Sequence, residues 1–414
     1  MNAEILCVGT ELLMGQTLNT DARYLAQKLS ELGINLYYQT TVGDNPRRLK
    51  EEFLRAWSRS DLVIATGGLG PTEDDLTKET IAEALGIGLE IHEESRERLI
   101  EFFQKLNITP TGNNFKQVLM PRGSIVMNNQ RGTAPGCIIE KDGKCAVILP
   151  GPPRELEPMF ENEAMPYLAE KTENALTSRI LHVFGIGESM IEDRLIDLVK
   201  NQTDPTLAPY AGTAEVALRI TSSHKKGEDP WPRILQMENE IRARLGDHVY
   251  GIDRDTMESV AADLLMQRGM RLATAESCTG GMVSSRLVDV PGISSSLLCG
   301  IVAYDNAMKQ KLLDVPAGLL AQYGAVSEQT AAAMAEGALK TSGADIALST
   351  TGIAGPAGGT PEKPVGLVYC AVAMAKRTFV KKLNFSGDRE RIRLRTTLYV
   401  LDMLRRELLG IRQS

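Results

Sequence analysis

Histidine is scarce in this sequence, and its scarcity limits the chemistry that the chain can use. Only four histidines occur among the 414 residues, at positions 92, 182, 224 and 248. They lie far apart, so no pair has the spacing of a zinc site, and no histidine follows residue 248. The sequence therefore predicts neither a histidine-rich metal cluster nor a Ser-His-Asp triad.

Cysteine motifs, basic blocks and long apolar runs are also missing. The six cysteines are scattered without a C-x-x-C motif, which predicts reduced thiols and a cytoplasmic location. A formal net charge of −7 argues against direct binding of nucleic acid. No stretch approaches the roughly 18 apolar residues of a membrane span, and the first residues lack the features of a signal peptide. We therefore expect no membrane association.

The length predicts two or three domains, and we divide the chain into residues 1–170, 171–253 and 254–414. The first segment alternates apolar strands with amphipathic helices in the order βαβαβ, which predicts a parallel sheet. The second is predicted to be a small α+β unit that connects domains or protomers. The third alternates strands and helices again. The predicted fold class is therefore α/β, with a small α+β unit in the middle of the chain.

A glycine-rich loop follows the third predicted strand of the first segment. It spans residues 67–75, and functional loops in such sheets lie at the carboxyl ends of the strands. Gly68 and Gly70 leave backbone N–H groups free for a phosphate. Two later loops each combine glycine with an arginine: Arg131 and Gly132 in one, Arg154 in the other. These two loops suit a phosphate, but structural turns would have much the same composition.

Acidic side chains follow three of the predicted strands in the first segment. Asp74 and Asp75 are either ordinary acids in the first turn of a helix or ligands of a divalent metal bound to a diphosphate. Glu11 and Asp44 also follow strands, so they could join the same rim.

Four motifs in the first segment carry a family resemblance. They are, in order, GTELLMGQ, TGGLGPTEDD, RGTAPG and LPGPPRE. Together they resemble the N-terminal domain of CinA (competence/damage-inducible) proteins, which has the molybdopterin-binding fold of molybdenum-cofactor biosynthesis proteins. The resemblance implies a pyrophosphatase acting on ADP-ribose with a divalent metal, Mg, Mn or Co. Arg131 stands where lysine is common in relatives, which changes the geometry of a phosphate contact.

In the third segment, the stretch TAESCTGG at residues 274–281 is the strongest candidate for chemistry. It lies between a predicted buried strand and a predicted helix at 282–288, so Ser277 falls on the turn. A helix start offers free N–H groups, which makes Ser277 a candidate nucleophile over an anion or oxyanion site. The alternative is a capped helix start with no catalytic role.

Further motifs follow in order, and with TAESCTGG they resemble the CinA C-terminal domain, which also occurs alone as nicotinamide mononucleotide amidohydrolase. They are VAYDNAMK, STTGIAGPAGG, KPVG and FSGDR. The resemblance implies that Ser277 is the nucleophile and Lys309 the base, with Tyr304 as a proton relay or orienting hydroxyl and Glu276 beside the nucleophile. A lysine can act as a base when burial or a nearby cation lowers its pKa, although Lys309 could also be a solvated helix lysine.

The remaining residues implied for this half would bind substrate, and no cofactor is implied. They are Thr279, Gly280, Thr351, Gly352, Gly355 and Arg389. Cys278 is an alternative nucleophile, although the family pattern assigns that role to the serine.

The resemblance implies an enzyme that converts nicotinamide mononucleotide to nicotinic acid mononucleotide and ammonia, with a second activity on ADP-ribose. Two alternatives stay open: a pyrophosphatase whose C-terminal domain is structural, and a non-enzymatic competence scaffold that binds a recombination protein. We expect a homodimer.

Overall fold

The computed structural model describes residues 1–172 and 174–412. They form two compact units, residues 1–177 with 222–230 and residues 178–221 with 231–412. No helix in the described residues is long and apolar enough to cross a membrane. The division of the chain into three domains remains a prediction.

The first unit opens with the predicted βαβαβ run. Its elements are β1 Asn2–Val8, α1 Thr10–Leu13, α2 Thr20–Glu31, β2 Asn35–Val42, α3 Pro46–Arg59, β3 Leu62–Thr66, α4 Thr77–Ala84, β4 Leu89–Ile91, α5 Glu93–Lys105, β5 Leu119–Pro121, β6 Ile125–Met127, β7 Gly136–Lys141, β8 Lys144–Leu149, α6 Pro153–Met159 and α7 Met165–Lys171. A 3-10 helix, Gly112–Val118, precedes β5, and a π-helical turn, Phe160–Ala164, joins α6 to α7.

The main sheet of this unit has the strand order β2-β1-β3-β8-β7-β6. The first four strands are parallel, in line with the βαβαβ run, whereas β7 runs antiparallel to β8 and β6 runs antiparallel to β7. The sheet is therefore mixed. Because β7 runs against β8, the chain enters β7 at the edge where β1, β3 and β8 end. That arrangement brings the glycine-rich loops to one edge.

Both faces of the central strands β1, β3 and β8 are buried, as expected for parallel strands covered by helices. Alternate residues of β1 enter two separate cores: Ile5 packs with residues of α2 and α6, and Leu6 with residues of α3 and α4. Helix α3 begins at Pro46, as predicted, and the Asn45 side chain accepts a hydrogen bond from the N–H of Arg48. The predicted loop at residues 9–15 instead contains the single turn α1.

Six elements in the middle of the chain form a split βαβ arrangement. They are β9 Asn174–Val183, α8 Glu188–Lys200, β10 Thr206–Ala211, β11 Val216–Lys225, α9 Trp231–Leu245 and β12 Val249–Ile252, with the sheet order β10-β11-β9-β12. Strand β10 was missed by the sequence analysis because Pro209 interrupts its pattern. The strand lies at the sheet edge, where a proline is tolerated.

The C-terminal half contributes a second mixed sheet to the second unit. Its elements are α10 Met257–Arg268, β13 Leu272–Glu276, α11 Met282–Val288, β14 Leu297–Val302, α12 Asn306–Leu313, α13 Ala317–Tyr323, α14 Glu328–Ser342, β15 Ile346–Gly352, β16 Leu367–Met374, β17 Arg377–Asn384 and α15 Arg389–Leu409. The strand order is β14-β13-β15-β16-β17. Strands β14, β13 and β15 are parallel, β16 runs antiparallel to β15, and β17 runs antiparallel to β16. The apolar run at residues 300–304 predicts a strand there, whereas β14 begins and ends earlier.

Helices cover both faces of this sheet. Leu272 of β13 packs with residues of α10 and α15, whereas Ala273 and Ala275 face α12 and α14. Within the same unit, the rings of Phe184 and Tyr399 lie 6.2 Å apart, so the middle sheet and the C-terminal half share a core. The carboxyl ends of β13, β14 and β15 meet at one edge of the sheet, because these three strands are parallel neighbours.

Candidate functional site

The structure forms a cavity of about 760 Å³ at the carboxyl ends of β1, β3 and β8. Every residue that the sequence analysis predicts for the N-terminal site lines it. These are Glu11, Asp44, Gly68, Gly70, Asp74, Asp75, Arg131, Gly132 and Arg154. Glycines, arginines and acidic residues from five separate segments of the chain thus line one cavity.

The acidic residues of this cavity are held by neighbouring hydroxyl and amide groups. The Asp44 carboxylate accepts hydrogen bonds from the N–H and the hydroxyl of Thr10, both at 2.8 Å. Asp75 accepts from the N–H of Thr72 at 3.0 Å and from its hydroxyl at 2.5 Å. The hydrogen bond from Thr72 is the main reason that the pKa of Asp74 is lowered from its ordinary value.

Oxygen ligands of this kind suit a hard divalent cation. The described residues contain no preassembled group of three or more His, Cys, Asp or Glu side chains that could hold a metal by themselves. Mg²⁺ usually binds through one or two carboxylates together with substrate phosphates. The four predicted acids of this cavity, Glu11, Asp44, Asp74 and Asp75, therefore fit a cation that arrives with a diphosphate better than a permanent structural metal.

Two glycines of the 67–75 loop are required by the loop itself. Gly68 has a φ of +64°, and a Cβ there would lie 2.2 Å from Thr77 Oγ1. A Cβ on Gly70 would lie 2.4 Å from Asp75 Oδ2. Close packing thus explains these glycines whether or not their N–H groups also contact a phosphate.

Sequence reasoning missed several residues that line this cavity, among them Asp21 and Phe102. Burial first, and then the charge of Glu157, raise the pKa of Asp21 to about 6. A carboxyl group that titrates near neutral pH can accept a proton from an attacking water. Asp21 lies in the first turn of α2, where an acid is expected for reasons unrelated to a site, so the sequence offered no distinguishing signal.

A second, smaller cavity of about 210 Å³ lies at the carboxyl ends of β13, β14 and β15. Six of the residues predicted for the C-terminal site line it: Ser277, Tyr304, Lys309, Thr351, Gly352 and Arg389. The others, Glu276, Thr279, Gly280 and Gly355, are not in its lining. Cys278, Asn306, Ala325, Val326 and Ala354 complete the wall.

Lys309 is 1% exposed, so it is not the solvated helix lysine that the sequence left open. Its Nζ donates hydrogen bonds to the carbonyl oxygens of Ala303 at 3.0 Å and Tyr304 at 2.9 Å. Burial lowers its pKa, against the opposing charge of Asp305. A neutral amine has two N–H groups and one lone pair. When both N–H groups bond these carbonyls, the lone pair remains free to accept a proton.

Ser277 lies on the turn after β13, as predicted, and is 9% exposed. Its N–H donates to the Thr350 carbonyl at 3.0 Å, and its carbonyl accepts from the N–H of Gly280 at 3.1 Å. These backbone bonds fix the turn, and no hydrogen bond to the Ser277 hydroxyl occurs among residues 1–172 and 174–412. The serine therefore presents a free hydroxyl to the cavity that contains Lys309.

Glu276 occupies the helix start that we predicted as an anion site, and that prediction is wrong. Its carboxylate accepts hydrogen bonds from the N–H groups of Gly281, Val283 and Ser284 at 2.9–3.1 Å. It also accepts from the hydroxyls of Thr279 and Ser284, both at 2.7 Å. These N–H groups are already satisfied, so donors for an oxyanion must come from elsewhere. Glu276 is 1% exposed, and its carboxylate holds the loop after β13 in place through these hydrogen bonds.

Three other predicted residues act on the loops around the cavity. The Thr279 hydroxyl also contacts the Thr350 hydroxyl at 2.7 Å, and Gly280 has a φ of +60° in an exposed turn. The Gly355 carbonyl accepts from Arg389 Nη1 at 2.8 Å, while Arg389 Nη2 donates to the Tyr304 hydroxyl at 3.2 Å. Gly355 thus positions Arg389, and Arg389 with the 63% exposed Tyr304 forms the cavity mouth.

Cys278 also lines the cavity, but its chemistry at neutral pH differs from that of a reactive cysteine. Burial raises the pKa of its thiol to about 12, and the nearby Glu276 adds to this. The thiolate is the nucleophilic form of cysteine, so the thiol is inert at neutral pH. This observation favours Ser277 over Cys278.

Replacing Glu276 by glutamine is expected to lower the free energy of unfolding by about 1–3 kcal/mol, because an amide NH₂ would face backbone N–H donors. Urea unfolding measures the change. The matched control is Glu328→Gln, an exposed acid in the first turn of α14, which should change stability by less than about 0.5 kcal/mol. Equal stability of Glu276→Gln and wild type would show that the carboxylate does not organise this loop.

Comparisons with known proteins cover nearly the whole chain. Three family models match: "Probable molybdopterin binding domain" at residues 4–170, "Damage-inducible protein CinA KH domain" at 178–251 and "CinA C-terminal domain" at 254–408. The CinA-like proteins of Dictyoglomus turgidum and Dictyoglomus thermophilum are each 52% identical over 99% of this chain and 100% of their own. A crystal structure of a competence/damage inducible protein from Agrobacterium tumefaciens is 38% identical over 36% of this chain and 94% of its own, with a TM-score of 0.35.

Proposed function

Because the chain belongs to the CinA family, with a molybdopterin-binding-like N-terminal domain, we propose that its C-terminal site hydrolyses the carboxamide of nicotinamide mononucleotide. The products are nicotinic acid mononucleotide and ammonia. One observation carries this proposal: a serine with a free hydroxyl and a buried lysine with a lowered pKa line the same cavity. Amide hydrolysis needs a nucleophile and a base, and the C-terminal half contains no histidine to serve as that base.

The two residues divide the reaction between them. Ser277 Oγ attacks the carboxamide carbon, and Lys309 Nζ takes the hydroxyl proton. The C–N bond then breaks as Lys309 returns that proton to the departing nitrogen, which leaves as ammonia. Water attacks the resulting ester of Ser277, again losing its proton to Lys309, and the carboxylate product leaves as the serine regains a proton. The reaction consumes one water and regenerates both groups.

The size and rim of the C-terminal cavity support binding of a nucleotide with its pyridine ring inside the cavity and its phosphate at the mouth. Ligand pockets usually measure roughly 300–1,000 Å³, so a space of about 210 Å³ suits one pyridine ring with its amide and not a whole nucleotide. The Arg389 guanidinium lies at the mouth beside Tyr304. It is there available to the 5′-phosphate of a nucleotide whose ring is inside.

For the N-terminal cavity we propose hydrolysis of the diphosphate of ADP-ribose to AMP and ribose 5-phosphate. Glu11, Asp44, Asp74 and Asp75 would hold a divalent cation, which neutralises charge on the diphosphate oxygens when bound. Arg131 extends the positive side of the site, and its guanidinium has no ion pair among the described residues. Asp21 would accept the proton of the attacking water.

Release of ammonia from nicotinamide mononucleotide by the purified full-length chain is the direct test of the first activity. Nicotinamide without the ribose phosphate is the matched comparison, because it lacks the group assigned to Arg389. Absence of ammonia together with AMP release from ADP-ribose would favour a pyrophosphatase with a structural C-terminal domain. Absence of both products would favour a scaffold that binds a competence or recombination protein. A homodimer remains a prediction.

Chelation of divalent metal by EDTA is expected to abolish AMP release from ADP-ribose and to leave ammonia release unchanged. The reason is that the proposed metal-binding acids all line the N-terminal cavity, whereas Ser277 and Lys309 need no cation. Adding Mg²⁺, Mn²⁺ or Co²⁺ in excess should restore cleavage. Equal loss of both activities would contradict this assignment.

A further inference from the structure

Phe102 has an unusual position at the end of α5. It lines the 760 Å³ N-terminal cavity and also a neighbouring cavity of about 290 Å³. The two cavities share Phe102 and the loop Arg131–Gly132–Thr133, so they are neighbours at this ring. Phe102 is 42% exposed, although a large apolar side chain is usually buried.

The Phe102 ring contacts one aromatic neighbour. Phe103 lies edge to face with it, with ring centroids 5.7 Å apart and an interplanar angle of 84°. Phe103 also lines the larger cavity, and these two phenylalanines are its only aromatic side chains among the described residues. Such a contact restricts the orientation of the Phe102 ring, and its 42% exposure keeps the ring accessible for stacking.

Polar side chains line the smaller cavity together with Phe102. They include Asn128 and Gln130, and Arg98 and Lys105 from the same helix as Phe102. Asn129 is already engaged, because its amide donates to the Ala134 carbonyl and to Glu155 at 2.9 and 2.8 Å. A cavity wall that combines an aromatic ring with amide side chains matches the flat face and polar edge of a nucleobase.

We propose that Phe102 is the stacking platform for the adenine base of ADP-ribose, which extends past this ring toward the 128–130 loop. The inference rests on the proposed pyrophosphatase function, which places the diphosphate among the acids and glycines of the larger cavity. The base is the one aromatic part of this substrate, and Phe102 and Phe103 are the aromatic part of the cavity wall. Because every nucleobase has a π-face, stacking predicts tolerance of other bases and rejection of base-free ligands.

The test compares binding of two reaction products, AMP and ribose 5-phosphate, to the full-length protein with Mg²⁺. Phe102→Ala should weaken AMP binding by at least about fivefold and leave ribose 5-phosphate binding unchanged. The matched control is Leu106→Ala, since Leu106 is 52% exposed at the end of the same helix and lines neither cavity. It should change neither affinity.

A fluorescent pair of variants gives a second readout that does not depend on catalysis. Phe102→Trp should keep AMP binding and lose tryptophan emission when AMP is added, but not when ribose 5-phosphate is added. Leu106→Trp should show no change with either ligand. Size-exclusion chromatography verifies that the variant keeps its oligomeric state, because Phe102→Ala and wild type should elute at the same volume.

Three results would overturn the inference: unchanged AMP binding in Phe102→Ala, equal weakening of AMP and ribose 5-phosphate, or a change of oligomeric state. The first excludes stacking, the second indicates that the ring only supports the cavity, and the third makes α5 a subunit contact. Failure of the proposed pyrophosphatase gives a result different from failure of the stacking inference: ADP-ribose stays intact, while AMP still binds in a Phe102-dependent manner. If wild type binds no AMP, both ideas are wrong.

Discussion

Replacing Ser277 by alanine reduces ammonia release from nicotinamide mononucleotide by an expected factor of about 10³ or more. Loss of a catalytic nucleophile has effects of this size because no other group forms the covalent intermediate. The neighbouring Cys278 does not substitute, since burial raises the pKa of its thiol to about 12. Initial rates of ammonia formation, measured with substrate in excess, give the effect directly.

Two controls make this result specific. Thermal unfolding should show that Ser277→Ala keeps the fold, because the turn is held by backbone hydrogen bonds and not by the serine hydroxyl. Cys278→Ala should retain most of the activity. Near wild-type ammonia release by Ser277→Ala would rule out the serine mechanism, and loss of activity in Cys278→Ala would then identify the thiol as the nucleophile.

Replacing Lys309 by methionine is expected to reduce ammonia release by a similar factor, because methionine keeps the length of the side chain but accepts no proton. The variant should also lose about 1–3 kcal/mol of unfolding free energy, since the carbonyls of Ala303 and Tyr304 lose their donor. Urea unfolding measures this second effect. Lys309→Ala leaves space for a small external amine, and ethylamine should restore part of its activity.

The pH dependence separates a base from a structural lysine. Lys309 accepts a proton only when neutral, so kcat/KM should rise with pH through the pKa of Lys309, which burial holds below the ordinary value of 10.5. The charge of Asp305 opposes that lowering, and Asn can still cap α12. Asp305→Asn should therefore move the acid limb to lower pH. An acid limb that does not move, or Lys309→Met that retains activity, would contradict the role of base.

Much of the C-terminal site could be predicted from local sequence. The strand before Ser277 and the helix after it are where periodicity placed them, because apolar spacing and turn residues act over a few positions. The residue pattern also predicts paired strands at residues 365–374 and 378–385 and a long final helix after residue 389, and β16, β17 and α15 confirm them. The sequence places the edge strand β14 a few residues too late, since the alternating exposure of its residues resembles that of a solvated segment.

The roles of individual side chains were harder to predict. Glu276 is adjacent to Ser277 in sequence, yet alternation along β13 turns it under the loop and away from the cavity lining. Ala325 and Val326 line the cavity from a segment between α13 and α14 that has no motif. Phe102 looks in sequence like one apolar residue of an amphipathic helix, so only its exposure beside two cavities distinguishes it.

The sequence by itself determined most of the order of strands and helices, the turn that holds Ser277 and the absence of a histidine base in the C-terminal half, because these follow from residue identity and short-range spacing. The assignment of Lys309 as the base came from the family resemblance of the motifs. The tertiary structure alone decided that Ser277 and Lys309 share a cavity, that Lys309 is buried, and that Glu276 fills the helix start. The physical reason is that burial, and with it the pKa of a buried amine, depends on packing between segments far apart in the chain.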